Sequence, residues 1–178
     1  MLHSIDMEYL QQLNPLWHLF SFLGDSAFLL VFFSLLFLWA AYYKKPYLKA
    51  TYDTLILLAV GIALSYILKV VIGRARPLYL EHNIGPLFAP FNLNNSFHSF
   101  PSSHSLSAAI VAFSNIKKRP LSYLFIGLVS ISRVMLLKHH VTDVLGAVAI
   151  AYFIVYQLDK TYLFSFLKKI AYKVLYTK

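Results

Sequence analysis

Cysteine is absent from this 178-residue chain. That excludes a disulfide framework, a cysteine–zinc site and a thiol nucleophile. Charge is scarce too: Asp, Glu, Lys and Arg make up 13% of residues, against about 25% in a soluble domain. Only seven of these residues are acidic, against 16 Lys and Arg. What fills the chain instead is apolar: 59% hydrophobic and 17% aromatic. Disorder is excluded, because it needs low hydrophobicity. A small soluble globule could not hide this much apolar surface. The length fits one domain, so residues 1–178 are expected to form a single membrane-embedded unit. The basic excess leaves two readings, nucleic acid or cationic cytoplasmic loops. The positions of the cations decide between them.

Crossing about 30 Å of hydrocarbon takes roughly 20 apolar residues in a helix. Five runs approach this. They are Ser26 to Tyr43, Ala50 to Ile72, Ser102 to the Lys117-Lys118-Arg119 cluster, Leu121 to Leu137, and Val141 to Leu158. The expected fold is an all-α polytopic membrane protein with five transmembrane helices. Residues 1–24 mix Trp17, Phe20 and Phe22 with Asp6, Glu8, Gln11 and Gln12. They read as a helix lying in the interface; if that helix spans, the count is six. It lacks the basic start of a cleaved signal peptide. Residues 159–178 intersperse Lys168, Lys169 and Lys173 with Phe164, Leu167, Ile170 and Val174. They read as a basic amphipathic cytoplasmic tail on an anionic membrane surface, or as a frayed, solvated end.

Five spans sort the cations by side. Lys44, Lys45, Lys49, Lys117, Lys118, Arg119, Lys160, Lys168, Lys169, Lys173 and Lys178 share one side. Lys69, Arg74, Arg76, Arg133 and Lys138 lie on the other. The positive-inside rule makes the first side cytoplasmic, with the N-terminus outside and the C-terminus inside. Basic residues that flank spans argue against nucleic acid. The long loop Gly73 to Pro101 falls outside; its aromatics suggest an ordered cap at headgroup level.

The five outer cations fall at span ends, where charge is costly unless used. Three clusters form there. In the first, Lys69 and Arg76 are seven apart, two helical turns, and Pro77 disfavours helix at Arg76. Arg74 lies about 140° round the helix from Lys69 and is the weaker candidate. The alternative is plain snorkelling. In the second, Pro101-Ser102-Ser103-His104 opens a helix. Ser102 or Ser103 can cap it, and its first N–H groups form an anion site beside His104. The alternative is a capped helix with an interfacial histidine. In the third, His139 and Asp143 are i,i+4 and can touch, leaving one ring nitrogen as nucleophile or base. Arg133 adds a guanidinium suited to phosphate. The alternative is a polar interface loop with a capping Asp143. Together the clusters offer cations, helix N–H groups, two histidines and one carboxylate, a set suited to a dianionic phosphate. A Ser102–His104–Asp143 hydrolase can also be drawn, but it leaves the cations unexplained. A metal on His104 and His139 would have one carboxylate and a positive surrounding, which disfavours it.

At these residues the chain resembles the type 2 phosphatidic acid phosphatase family, which shares its fold with vanadium haloperoxidases and bacterial acid phosphatases. The family motifs K-x6-RP, PSGH and SR-x5-H-x3-D match Lys69…Arg76-Pro77, Pro101-Ser102-Ser103-His104 and Ser132-Arg133…His139…Asp143. Ser103 stands where the family usually has glycine. The resemblance implies an acid phosphatase-like helical bundle and a phosphohistidine on His139. Asp143 would orient His139, and His104 would serve as acid and then base. Lys69, Arg76, Ser102, Ser103 and Arg133 would hold phosphate, with no metal or cofactor. The substrate would be a phosphorylated membrane lipid at the outer face of a bacterial inner membrane, with lipid A 1-phosphate preferred. Undecaprenyl pyrophosphate, phosphatidylglycerol phosphate, phosphatidate and transfer to a lipid acceptor are the alternatives. A non-catalytic anionic-lipid binder is the reading from another class. A channel is disfavoured because no polar stripe crosses the membrane.

Overall fold

The computed structural model describes residues 14–82, 85–115 and 120–157. The expected tail at 159–178, the start of the N-terminal segment and the Lys117-Lys118-Arg119 cluster lie outside the described residues. Among those described, the regular structure is helical: α1 (Asn14–Leu23), α2 (Ser26–Tyr42), α3 (Leu48–Ile72), the short α4 (Pro77–His82), α5 (Ser103–Asn115), α6 (Pro120–Met135) and α7 (Val141–Tyr156). A 3₁₀ turn covers Asn95–Phe97. Each of the five apolar runs is a helix, and α1 joins α2 through a bend of 48°.

Helix length does not reproduce the five-span count among the described residues. Only α3, at 25 residues, is long and apolar enough by itself; α1 with α2 qualifies as a bent pair. Helices α6 and α7 are apolar but have 16 residues each, and α5 has 13. The difference arises at the ends, where apolar residues such as Leu136 and Leu137 belong to turns rather than helix.

Helix α5 is the hub, packed by α3, α6 and α7. Its Leu106, Ala108, Ala109, Ile110 and Ala112 are all fully buried. A helix buried on every face must present small residues for its neighbours to come close. Gly61 of α3 makes the same allowance: a Cβ there would meet Ile110 Cδ1 at 2.4 Å. Hydroxyl contacts tie three helices at one level. Ser65 Oγ of α3 lies 2.9 Å from Ser103 Oγ of α5, and Ser26 Oγ of α2 lies 2.9 Å from Ser107 Oγ. The chain direction alternates, so the start of α2, the end of α3, the start of α5, the end of α6 and the start of α7 share one end of the bundle.

The loop from Gly73 to Pro101 is held over that end. Gly73 closes α3 in the left-handed conformation (φ 56°). Ala89 N–H donates to the Gly73 carbonyl (2.7 Å), Phe91 N–H to Val70 (2.7 Å), Arg76 N–H to Ser96 (2.8 Å) and Ser99 N–H to Arg74 (3.0 Å). These bonds make the loop the ordered cap that its aromatics suggest, although Phe88 and Phe91 remain exposed.

Candidate active site

Two helix caps explain the spacing of the third cluster. The end of α6 forms a Schellman turn: Leu137 is left-handed (φ 52°), its N–H donates to Val134 and the Lys138 N–H donates to Arg133. The His139 N–H also reaches the Arg133 carbonyl, at 3.3 Å. Five residues thus separate a helix-end arginine from a histidine folded back onto it. His140 is the N-cap of α7, and Asp143, three residues on, accepts the His140 N–H at 2.8 Å. That is the returning half of a capping box, and it fixes a buried carboxylate beside His139.

The expected contact between His139 and Asp143 is indirect. Asp143 Oδ2 stands 3.9 Å from His139 Nδ1. The nearer partner is the Ser99 carbonyl, 2.6 Å from Nδ1. A carbonyl only accepts, so Nδ1 carries the proton and Nε2 of the neutral ring keeps its lone pair. Ser99 Oγ donates to Asp143 Oδ2 at 2.5 Å, and Arg74 donates to Oδ1 at 2.6 Å. Asp143 therefore organises His139 through Ser99. The ring of His140 turns away and donates to the Ala75 carbonyl (3.1 Å).

His139 is 2% exposed. Burial pushes its imidazole down to about 4; the Asp143 carboxylate opposes this, and Lys69, Arg133 and Arg76 reinforce it. The histidine is neutral at pH 7. Lys69, Arg133 and Arg76 are thus near enough to act on this imidazole electrostatically, as the sequence leads one to expect. Lys69 Nζ is tethered to the His98 carbonyl at 2.9 Å, and Arg133 donates to Ser21 Oγ. The Nε atoms of Arg74, Arg76 and Arg133 are buried without a hydrogen-bond partner. Buried guanidinium N–H groups left unpaired are unfavourable, and an oxyanion would satisfy them.

The second cluster completes the wall. Ser102 is fully buried at the N-cap of α5. Its N–H donates to the Asp143 carbonyl (3.2 Å), and its Oγ accepts from Ser105 Oγ (3.1 Å). Ser103 Oγ contacts Ser65. His104 Nε2 faces Asp25 Oδ2 at 3.3 Å. Sequence reasoning missed Ser99, Asp25 and Ser21, and it discounted Arg74. Arg74 was measured along a helix that Gly73 ends, so it swings onto Asp143. Ser99 carries no periodic signal. Asp25 had a faint one, a rare carboxylate just ahead of an apolar run.

Both oxygens of Asp143 are engaged, and among the described residues no three His, Asp or Glu side chains gather as a metal site. The arrangement is a neutral imidazole with the Nε2 lone pair uncommitted and three cations within electrostatic reach, with a second histidine at a helix start.

Residues 50–166 match the family model described as PAP2 superfamily. The chain is 37% identical over 142 residues to phosphatidylglycerophosphatase B of Bacillus subtilis, across 70% of this chain and 63% of that protein. It thus spans less than two thirds of that relative's length. No solved structure matches it.

Proposed function

The chain belongs to the PAP2 superfamily, and from that premise we propose that it is a membrane lipid phosphatase acting through a phosphohistidine on His139. The observation that carries this is the neutral, Nδ1-protonated His139 among Lys69, Arg76 and Arg133, two of which have unpartnered buried N–H groups. His139 Nε2 attacks phosphorus, and the bond to the lipid oxygen breaks. The Ser99 carbonyl and the Asp143 charge stabilise the cationic ring that results. His104 gives the leaving oxygen a proton, then takes one from water. The resulting hydroxide releases phosphate and restores His139. Lys69, Arg76, Arg133, Ser102 and the α5 start around Ser103 neutralise charge on the phosphoryl oxygens, the part a metal would otherwise play. The reaction is read as metal-independent.

The preferred substrate is phosphatidylglycerol phosphate, on the strength of the Bacillus relative's name. Lipid A 1-phosphate, undecaprenyl pyrophosphate and phosphatidate share the required chemistry. Residues 1–178 are read as one integral-membrane unit with five spans, its N-terminus outside and its tail cytoplasmic. The site then lies on the outer face of an inner membrane. Exposed apolar side chains on α2, α3, α6 and α7, including Phe32, Leu35, Ile67, Leu124 and Phe153, support embedding, since soluble monomers rarely show such continuous surface.

The test is phosphate release from these four lipids in detergent with EDTA, by wild type and His139→Ala. Release by wild type and loss of at least ~10³-fold in the variant is expected. Full activity in a folded His139→Ala protein rejects the nucleophile. Binding of all four lipids without release by wild type supports a lipid-binding protein instead.

A further inference from the structure

The residues matched by the family model begin at 50, yet one wall of the site comes from before them. The bend between α1 and α2 is pressed against the start of α5 and the end of α6. A Cβ on Gly24 would meet Val129 Cγ1 at 2.3 Å and the His104 carbonyl at 3.2 Å, so glycine permits the close approach. Ser26 Oγ donates to the Ser103 carbonyl at 3.3 Å. Ser21 Oγ accepts from Arg133. Contacts from Ser21, Gly24 and Ser26 thus fix the bend to the elements that carry Ser103, His104 and Arg133.

Asp25 sits at the apex with its two oxygens divided. Oδ1 accepts the Phe28 N–H at 2.9 Å and caps α2. Oδ2 points out of the cap to His104 Nε2, at 3.3 Å. The charged or titratable groups facing His104 are Asp25 from the bend, Arg133 from α6, Lys69 from α3 and His139 ahead of α7. Asp25 is the single carboxylate among them.

We propose that Asp25 is a positioning residue for the acid–base step: it holds the His104 ring by Nε2, so that Nδ1 exchanges the proton with substrate. This inference rests on the phosphatase reading of His104. In the first half-reaction the Nδ1 proton passes to the oxygen leaving phosphorus, and His104 becomes neutral. In the second it regains a proton from the attacking water. Asp25 stays ionised throughout and transfers nothing. A carboxylate 3.3 Å from the ring favours a proton on it, so removing that charge is expected to lower the pH at which His104 gives its proton up. The helix cap and the pairing are separable, because asparagine caps as well as aspartate and serine nearly so.

The experiment compares wild type, Asp25→Asn and Asp25→Ser as full-length protein in detergent, with His139→Ala as the inactive control. The kcat/KM profile has an alkaline limb that reports the acid. In both Asp25 variants that limb is expected to move to lower pH by roughly one pH unit, with kcat/KM at pH 7 down about 10-fold, while thermal stability stays near wild type. A purely capping role predicts that both variants keep the wild-type profile, and that result overturns the proposal. A second measurement does not depend on turnover. NMR titration of ring-labelled histidine, with the His104 signal identified through His104→Gln, should show His104 losing its proton at lower pH in Asp25→Asn. An unchanged midpoint overturns the proposal even if the wild type proves to be no phosphatase. An inactive wild type with a shifted midpoint rejects only the parent reading.

Discussion

At the scale of single residues, the tautomer of His139 is set by one carbonyl, and its charge by burial. Spacing alone put His139 and Asp143 on one helical face. It could not show that Ser99, 40 positions earlier, stands between them. That relay depends on where a loop lies, and no local rule reports it. The pH dependence follows from the histidine. Its folded-state pKa of about 4 lies below the unfolded value of about 6.5. Between these values the unfolded chain binds the extra proton, so stability rises with pH across this window and is lost as pH falls through it. The full effect is about 3 kcal/mol. Thermal midpoints in detergent should therefore decline from pH 6.5 to 4. Across the same range kcat/KM should hold until its acid limb near pH 4, because the proposed nucleophile stays neutral. An acid limb near 6.5 would contradict a buried neutral ring.

At the scale of elements, helix ends do most of the positioning. The five apolar runs were readable as helices because their composition leaves no competing pattern. The motif spacings were readable as well, and the caps now give them a cause: a Schellman turn spans Arg133 to His139, and a capping-box carboxylate spans His140 to Asp143. The path of residues 73–101 was not readable, since it is held by scattered backbone bonds rather than periodicity. Two left-handed positions give opposite expectations. At Gly73 a Cβ would meet the Ala89 carbonyl oxygen at 1.9 Å. Gly73→Ala should lower stability by more than the ~1 kcal/mol of the dihedral alone and displace Arg74 and Arg76. Leu137 is already left-handed and partly exposed. Leu137→Gly should be neutral, or stabilising by up to about 1 kcal/mol. Differential scanning fluorimetry on both variants checks the pair.

At the scale of the whole molecule, the site and an aromatic cluster occupy opposite ends of the bundle. Trp39 stacks on Tyr47, with Lys45 Nζ 5.7 Å from the Trp39 ring centre. Such groups favour a membrane–water boundary. From Tyr47 to Ser65, which touches Ser103, α3 rises about 27 Å, close to the thickness of the hydrocarbon. On the membrane reading proposed above, the candidate site then stands near the far headgroup level. Because the natural chain has no cysteine, single introduced thiols can test the orientation. Phe91→Cys, at a position 70% exposed on the site side, should react with an impermeant maleimide applied outside intact cells. Tyr43→Cys, 56% exposed at the other end, should react only after lysis. The reverse pattern would invert the molecule.

The unpartnered guanidinium groups have one more implication. Two of them are held by the fold in advance, Arg133 by Ser21 and Arg74 by Asp143. Freed inorganic phosphate carries the same oxygens as the ester it came from, and meets the same donors. On the phosphatase reading proposed above, phosphate release is expected to limit the rate, and added inorganic phosphate should inhibit.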